Sequence, residues 1–229
     1  MKKITEISGQ YLKKFLKHAE KALNYEPIIL GGWAVYALTK KEKSIDIDVL
    51  IKSKKEIAKL KPFFDQNGFK MGKDRLGNIS FERKLESIQT IGGIKIEQVI
   101  FDIMTINEPN KLHENKNIAV PWKLAFDYST RAKISGKKVQ IVAPELLLAY
   151  KAKALRDRIF DKYHLFEHMQ HKRVWAARKD FKIEKDRRDI KNLIHAGKID
   201  FKKLEEILNK TKFKEMFEHT LKEETGRVI

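Results

Sequence analysis

The sequence predicts an α+β (α/β) protein in which residues 1–143 form a mixed sheet with helices and residues 144–229 form an all-helical domain. Three observations support this fold class. The chain has 229 residues, of which 42% are apolar, and this is enough to bury a sizeable core. Before Pro144, short runs rich in Ile and Val alternate with helical patterns. After Pro144, apolar residues recur at spacings of three and four, and no strand-like run follows.

The predicted strands are apolar runs bounded by Gly, Lys, Asn or Pro. They cover residues 27–30, 45–51, 78–81, 94–104 and 139–142. One helix of the first half is marked at both ends, because Ser53 and Glu56 have the spacing of a capping box and Asn67 with Gly68 forms a glycine stop. In the second half, apolar stripes predict successive helices around residues 146–154, 190–194 and 204–208.

Composition and charge exclude several classes of protein. The chain has no cysteine, which excludes a disulfide scaffold, a thiolate zinc site and a cysteine nucleophile. No run approaches the roughly 18 apolar residues of a membrane helix, so we expect no membrane partner and a cytoplasmic location. With 49 Lys and Arg against 31 Asp and Glu, the formal net charge is +18. This charge fits a polyanionic partner or a heat-adapted surface of ion pairs, and the sequence leaves both open.

Two glycines mark a candidate phosphate site. Gly31 and Gly32 lie between a predicted strand and a helical run, so they are expected at a helix N-terminus. Bare backbone N–H groups at such a position can approach a phosphate closely. The Gly-Gly pair therefore predicts a seat for the phosphates of a nucleotide.

Two carboxylates follow on the next predicted strand. Asp46 and Asp48 are its acidic residues, and side chains two positions apart on a strand share one face, about 6 to 7 Å apart. Two carboxylates on a buried strand repel each other and lose solvation unless a cation compensates. Oxygen ligands without His or Cys favour a hard ion, so the sequence predicts Mg²⁺ or Mn²⁺ rather than zinc.

A third acid completes a site that holds two ions for in-line phosphoryl chemistry. Asp102 is the preferred candidate, because it is a lone charge inside an apolar strand. Glu97 is the alternative, and it would face the opposite side because its offset from Asp102 is odd. Each motif by itself has a purely structural interpretation, since Gly-Gly is most often a turn and Asp-x-Asp often occurs by chance. Their combination in this order favours a nucleotide and metal site.

This arrangement resembles the nucleotidyltransferase superfamily with the DNA polymerase beta-like fold. The signature of that superfamily is Gly-Gly or Gly-Ser at a helix start, about eight to thirteen further residues, Asp-x-Asp, and a distant third acid. The resemblance is carried by Gly31, Gly32, Asp46, Asp48 and Asp102. Ser44 stands where these proteins often carry Thr. The resemblance implies a nucleotidyltransferase-type mixed sheet, with Asp46, Asp48 and Asp102 as catalytic metal ligands and Gly31, Gly32 and Ser44 binding the nucleotide.

The second half resembles AbiEii-type nucleotidyltransferases, many of which are toxins of toxin–antitoxin pairs. The matching elements are Pro-Glu-x-Leu with its following Lys and Arg in residues 143–156, and Lys-Asp-x-x-Asp-hydrophobic in residues 185–190. The resemblance implies that Lys151 contacts nucleotide phosphates, that Asp186 lies at the cleft, and that the helical domain closes over the nucleotide. About 28 residues separate Arg156 from Lys185, which is long for this family.

The charged residues of the second half also have a structural interpretation. Without the resemblance, Lys151 would be an ordinary exposed helix lysine, and Asp186 with Asp189 would form surface ion pairs with Arg187 and Lys185. The basic stretch of residues 172–191 would be a solvated helical face.

Two classes of function follow from the sequence. The first is an enzyme that transfers a nucleoside monophosphate from an NTP donor to a hydroxyl of RNA (tRNA included), of a protein or of a small molecule, with RNA favoured by the net charge. An antitoxin would be a protein partner of such an enzyme. The second is a non-catalytic nucleic-acid-binding or antitoxin-like module on the same fold. The intact acids Asp46, Asp48 and Asp102 favour the enzyme.

Overall fold

A computed structural model describes residues 4–73, 79–90, 93–164 and 172–226 of the chain. Within these residues the helices are α1 (Ile4–Leu23), α2 (Gly31–Thr39), α3 (Ile57–Gln66), α4 (Leu124–Asp127), α5 (Pro144–His164), α6 (Lys172–His195), α7 (Phe201–Asn209) and α8 (Lys214–Thr225). The strands are β1 (Ile28–Ile29), β2 (Ile47–Ile51), β3 (Lys70–Lys73), β4 (Ile79–Thr90), β5 (Gly93–Thr105), β6 (Ser129–Ile134) and β7 (Lys137–Val142). The predicted α+β class, a mixed sheet followed by helices, is confirmed.

The strands form one mixed sheet in the order β3-β4-β5-β2-β1-β7-β6. The pairs β2 with β5 and β1 with β7 are parallel, and the other neighbouring pairs are antiparallel. Five of these strands overlap the predicted ones, and position 78 of the predicted run lies outside the described residues. The edge strands β3 and β6 are not predicted by the sequence pattern. Most of their residues are partly or fully exposed, so they lack an apolar run.

Aromatic side chains fill the layer between the sheet and helices α1 and α3. The Phe64 ring stacks on Phe81 with ring centroids 3.8 Å apart, and Phe15 lies 5.0 Å from Phe101. These four side chains are buried. Because side chains alternate along a strand, Phe101 on this face places Asp102 on the other face of the sheet. The predicted capping box of Ser53 is present at the 3₁₀ turn that leads into α3.

The chain divides into two units. Unit 1 contains residues 1–108 and 125–142, and with them the sheet; unit 2 contains residues 109–124 and 143–229, with helices α5 to α8. Residues 109–124 precede Pro144, so the sequence prediction assigns them to the first domain. No described helix or strand element lies within residues 109–123, so no periodic pattern marks where they pack.

Side-chain contacts hold residues 109–124 within unit 2. The Tyr150 hydroxyl donates to the Pro121 carbonyl at 3.0 Å, and burial raises the pKa of that phenol. The backbone N–H of His113 donates to Asp157 Oδ1 at 2.8 Å, and His113 Nδ1 lies 2.7 Å from Asp161 Oδ1. These contacts anchor the segment on α5. Among the described residues, no helix has the length and apolar character needed to cross a membrane.

Candidate functional site

The N-terminus of α2 lies directly against the Asp48 side chain. Helix α2 begins at Gly31, as predicted, and the N–H of Leu30 donates to the Asp48 carbonyl at 3.0 Å. Gly31 has a φ of +57°, and a Cβ added to it would lie 1.8 Å from Asp48 Oδ2. Glycine is therefore required twice at this position, for its backbone conformation and for the space that the carboxylate occupies. Gly32 follows in the first turn and is buried.

Asp48 and Asp102 are direct neighbours in the sheet. Strands β2 and β5 are parallel, and their register pairs Asp48 with Asp102. Paired residues on adjacent strands lie on the same face, with the strands about 4.8 Å apart. The row continues to Ser80 on β4, which is paired with Asp102, and to Gly72 on β3. Both acids are half-buried. The sheet thus brings together two of the three predicted acids.

Asp46 lies just outside the strand on which it was expected. Strand β2 begins at Ile47, because its pairing with β5 begins there, and Asp46 forms part of the preceding bend. Two hydrogen bonds hold the backbone of Ile45, the residue before Asp46. The Ser8 hydroxyl donates to the Ile45 carbonyl at 2.7 Å, and the Trp33 indole N–H donates to Ser8 Oγ at 3.3 Å. The Asp46 side chain is half-buried. Strand alternation therefore does not set its direction.

The first unit also contains the remaining nucleotide-binding candidate. Ser44 is buried, with 6% of its surface exposed, in the segment between α2 and β2. That segment is otherwise rich in exposed lysines. Ser44 lies two residues before Asp46 in the sequence, and its contact with a nucleotide remains a prediction.

The donor set of the acids suits a hard divalent cation. Asp48 and Asp102 offer carboxylate oxygens on one face, and Asp46 lies two residues before Asp48. Oxygen donors of this kind are those of Mg²⁺ and Mn²⁺ sites. Among the residues that the structure describes, no group of three His, Asp or Glu side chains is already gathered as a metal-holding cluster. The three acids fit a divalent cation because all of them offer carboxylate oxygens and because Asp48 and Asp102 are paired on neighbouring strands.

Lys151 lies in a buried chain of ion pairs in unit 2. Its Nζ is 2.6 Å from Asp189 Oδ2 and 3.1 Å from Asp186 Oδ1. Asp186 also contacts Arg158 of α5, and Asp189 lies 3.2 Å from Lys185 Nζ. The Lys151, Asp186 and Asp189 side chains are between 1% and 9% exposed.

This arrangement corrects the structural interpretation of these residues. Asp186 and Asp189 are buried partners of Lys151, and Arg187 pairs with Glu184 and Glu224 instead of with these acids. The expected pair of Asp189 with Lys185 is present, but Asp189 is buried. The sequence contained one signal for this, since Lys151 follows Leu147 by four positions and so lies on the apolar stripe of α5. The structure brings Lys151 and Asp186 together, and their contact with a nucleotide remains a prediction.

Ion pairs also engage part of the basic stretch on α6. Lys179 Nζ lies 2.5 Å from Asp161 Oδ2, and Lys185 and Arg187 have the carboxylate partners given above. Lys182 is exposed. Residues 165–171, which precede this stretch, lie outside the described residues. Carboxylates of α5, α6 and α8 therefore balance part of the positive charge of this helix.

Comparisons with known proteins give similarities in structure. No family model matches the chain, and no curated protein matches it. It is similar to the crystal structure of an antigenic nucleotidyltransferase-like protein from Paracoccidioides brasiliensis, with 16% identity and a TM-score of 0.45 over 99% of this chain and 93% of that chain. It is also similar to the solution structure of the antibiotic-resistance factor ANT(2'')-Ia, with 15% identity and a TM-score of 0.41 over 83% of this chain and 95% of that chain. For the crystal structure of ANT(2'')-Ia in complex with adenylyl-2''-tobramycin, the identity is 15% and the TM-score 0.35, over 80% and 95% of the two chains.

Proposed function

We propose that this protein is a metal-dependent nucleotidyltransferase. A hydroxyl of the acceptor attacks the α-phosphorus of an NTP, a new O–P bond forms, and the bond from the α-phosphorus to the bridging oxygen breaks. Pyrophosphate leaves with that oxygen, and the acceptor keeps the nucleoside monophosphate. The hydroxyl proton passes to a base.

One observation carries the proposal. Asp48 is in direct register with Asp102 on the neighbouring parallel strand, and its carboxylate also occupies the space above Gly31 at the start of α2. A helix N-terminus attracts phosphates, whereas paired carboxylates attract cations. Nucleotidyl transfer needs both within a few ångströms, because the phosphates and the ions that neutralise them lie in contact.

Residues of unit 1 have distinct roles in this proposal. The N–H groups at Gly31 and Gly32 bind the triphosphate, with Ser44 as a further contact. Asp46, Asp48 and Asp102 would hold Mg²⁺ or Mn²⁺, which supplies charge neutralisation of the phosphates when bound. The Asp102 carboxylate accepts the proton of the attacking hydroxyl. In unit 2, Lys151 offsets negative charge on the departing pyrophosphate.

The acceptor class is the finer part of the proposal. We favour an RNA end, tRNA included, because the chain has a formal charge of +18, and a toxin that an antitoxin protein neutralises would fit the AbiEii-type resemblance. Replacing Arg173, Arg178 and Lys182 with Gln should then weaken RNA binding. It should also flatten the salt dependence of binding, by about 0.7 to 0.9 in the log–log slope for each phosphate that these side chains neutralise. An unchanged slope would assign this charge to solubility.

Transfer from a labelled donor tests the catalytic assignment. Purified protein with Mg²⁺, each α-³²P-labelled NTP in turn, total RNA and a protein extract should label a macromolecule, and Asp102→Asn should abolish labelling. Glu97→Gln is the matched control, because residue 97 is on the same strand but its odd offset places it on the opposite face. Label formed by Asp102→Asn at the wild-type rate would refute the assignment. Nucleotide binding without transfer from any NTP would favour the non-catalytic module.

A further inference from the structure

Four lysines of unit 1 lie at the end of α2 and on the β6–β7 hairpin. The Nζ atoms of Lys40 and Lys43 are 5.5 Å and 5.9 Å from the centroid of the Tyr36 ring, so one ring holds two ammonium groups. Lys40 Nζ also donates to the Lys133 carbonyl at 2.7 Å. Lys133 in turn is paired in register with Lys138 on the neighbouring strand. Lys40, Lys43, Lys133 and Lys138 are called the lysine cluster below.

The fold brings these cations together at a cost in stability. Like charges directly opposite each other on paired strands are destabilising, and Lys133 and Lys138 are such a pair. Lys40 has a φ of +60°, a backbone conformation that glycine adopts more easily. All four residues are exposed. A bound anion would relieve the repulsion, so the lysine cluster has the character of an anion-binding surface.

The glutamates around the hairpin are engaged by its other cations. The two pairs have distances of 3.3 Å in Lys137–Glu20 and 2.7 Å in Arg131–Glu26. Lys40, and Glu42 in the same loop, each have a further contact. Among the residues that the structure describes, the other three members of the lysine cluster have no carboxylate within ion-pair distance. These three lysines are therefore available to an anion from solution.

The lysine cluster is close to the candidate site within unit 1. Tyr36 follows Gly31 by five residues of α2, about 7.5 Å along the helix axis. Lys43 precedes Asp46 by three residues in the loop that leads to β2. An acceptor strand with its end at the acids would therefore have further phosphates within reach of these lysines.

We propose that the lysine cluster binds the phosphate backbone of an RNA acceptor next to its reacting end. The inference rests on the proposed function for the place of that end, and it gives unit 1 a phosphate contact of its own. Lysine suits this role, because its ammonium is a point charge that contacts phosphate without reading the base. RNA is favoured over an acidic peptide because every nucleotide carries a phosphate, so one strand can contact Lys43 together with Lys133 and Lys138.

Lys133→Gln combined with Lys138→Gln tests this surface, and both side chains are exposed, so the variant should fold. Binding of a short fluorescein-labelled oligouridylate is measured by anisotropy at several salt concentrations. The log–log slope should fall by about 1.4, and the affinity at about 0.1 M salt should fall about 25-fold. Adding Lys43→Gln should weaken binding by about a further 5-fold. Arg131→Gln combined with Lys137→Gln is the matched control, because it removes two cations of the same hairpin that already have carboxylate partners.

Three comparisons with the same variants separate the RNA surface from other roles of these lysines. An equal loss of affinity for a polyglutamate peptide would assign the lysines to an acidic protein partner and overturn the inference. An equal loss of affinity for inorganic tripolyphosphate would assign them to the phosphates of the NTP and also overturn it. Unchanged RNA affinity with self-association of the variant would assign them to protection of the edge strand β6, with the same consequence.

RNA binding requires no transfer, so the inference and the proposed function can fail separately. Wild-type protein that binds the oligouridylate in the expected pattern but transfers no nucleotide would refute the enzyme and keep the surface. Transfer to RNA with the wild-type KM in Lys133→Gln combined with Lys138→Gln would overturn the surface and keep the enzyme. Wild-type protein that does not bind the oligouridylate would also overturn the surface.

Discussion

The contact between Gly31 and Asp48 makes a sharp prediction for Gly31→Ala. Residue 31 has a φ of +57°, where an L-residue with a Cβ costs about 1–2 kcal/mol. The new Cβ would also lie 1.8 Å from Asp48 Oδ2, an overlap that must displace the carboxylate or the helix start. Forced overpacking costs about 1–3 kcal/mol, so the free energy of unfolding should fall by about 2–5 kcal/mol in total.

Gly197→Ala is the matched control. Gly197 has a φ of +65° and no neighbouring atom within 4 Å of an added Cβ, so it isolates the backbone strain of about 1–2 kcal/mol. Urea denaturation with an unchanged m value measures both variants. In the Asp48→Ala background the two atoms at 1.8 Å and 2.5 Å are gone and only the Cβ of residue 48, at 3.1 Å, remains near the added Cβ, so Gly31→Ala should cost little more than the backbone strain. An equal cost for Gly31→Ala and Gly197→Ala, with no coupling to position 48, would refute the close approach of Asp48 to the helix.

Two further predictions concern groups around the site and on α5. Ser8→Ala removes the hydroxyl that accepts from the buried Trp33 indole, so it should cost about 1–3 kcal/mol in urea denaturation, and a cost below about 0.5 kcal/mol would contradict that contact. Burial raises the pKa of the Asp161 carboxyl, but the hydrogen bonds that His113 and Lys179 donate outweigh it and hold this pKa below its ordinary value. The ionised carboxylate therefore stabilises the fold above about pH 4, and this contribution is lost as the pH falls through the lower folded-state pKa. Asp161→Asn should thus be less stable than wild type at pH 7 and approach it as the pH falls through the lowered folded-state pKa, whereas a difference that does not change with pH would contradict the linkage.

Local patterns predicted most elements of the sheet but missed its edges. Buried strands such as β2 and β5 have apolar runs because their neighbours cover them. Strands β3 and β6 are exposed, and backbone pairing with one neighbour holds each in place, so their sequences lack the corresponding pattern. Strand boundaries were also approximate, which is why Asp46 was placed on β2 instead of in the bend before it.

The sequence predicted which residues belong to the candidate site, but it did not predict how the fold brings them together. The spacing of Gly31 and Asp48 is local, and it predicted a helix start followed by an acidic strand. The pairing of Asp48 with Asp102 depends on which strands are neighbours, 54 positions apart in sequence, and periodicity does not report strand order. Burial of Lys151 depends in the same way on α6, whose carboxylates approach it from 35 and 38 positions away.

The position of the label in the donor tests nucleotidyl transfer most directly. Parallel reactions with Mg²⁺ and the same RNA and protein acceptors would use one NTP labelled at the α-phosphorus or at the γ-phosphorus. If Asp48 and Asp102 form a nucleotidyltransferase site, the α-label should enter a macromolecule and the γ-label should appear in pyrophosphate, with both signals absent in Asp48→Asn combined with Asp102→Asn. Transfer of the γ-label to the macromolecule, or α-labelling that persists in the double variant, would contradict this function.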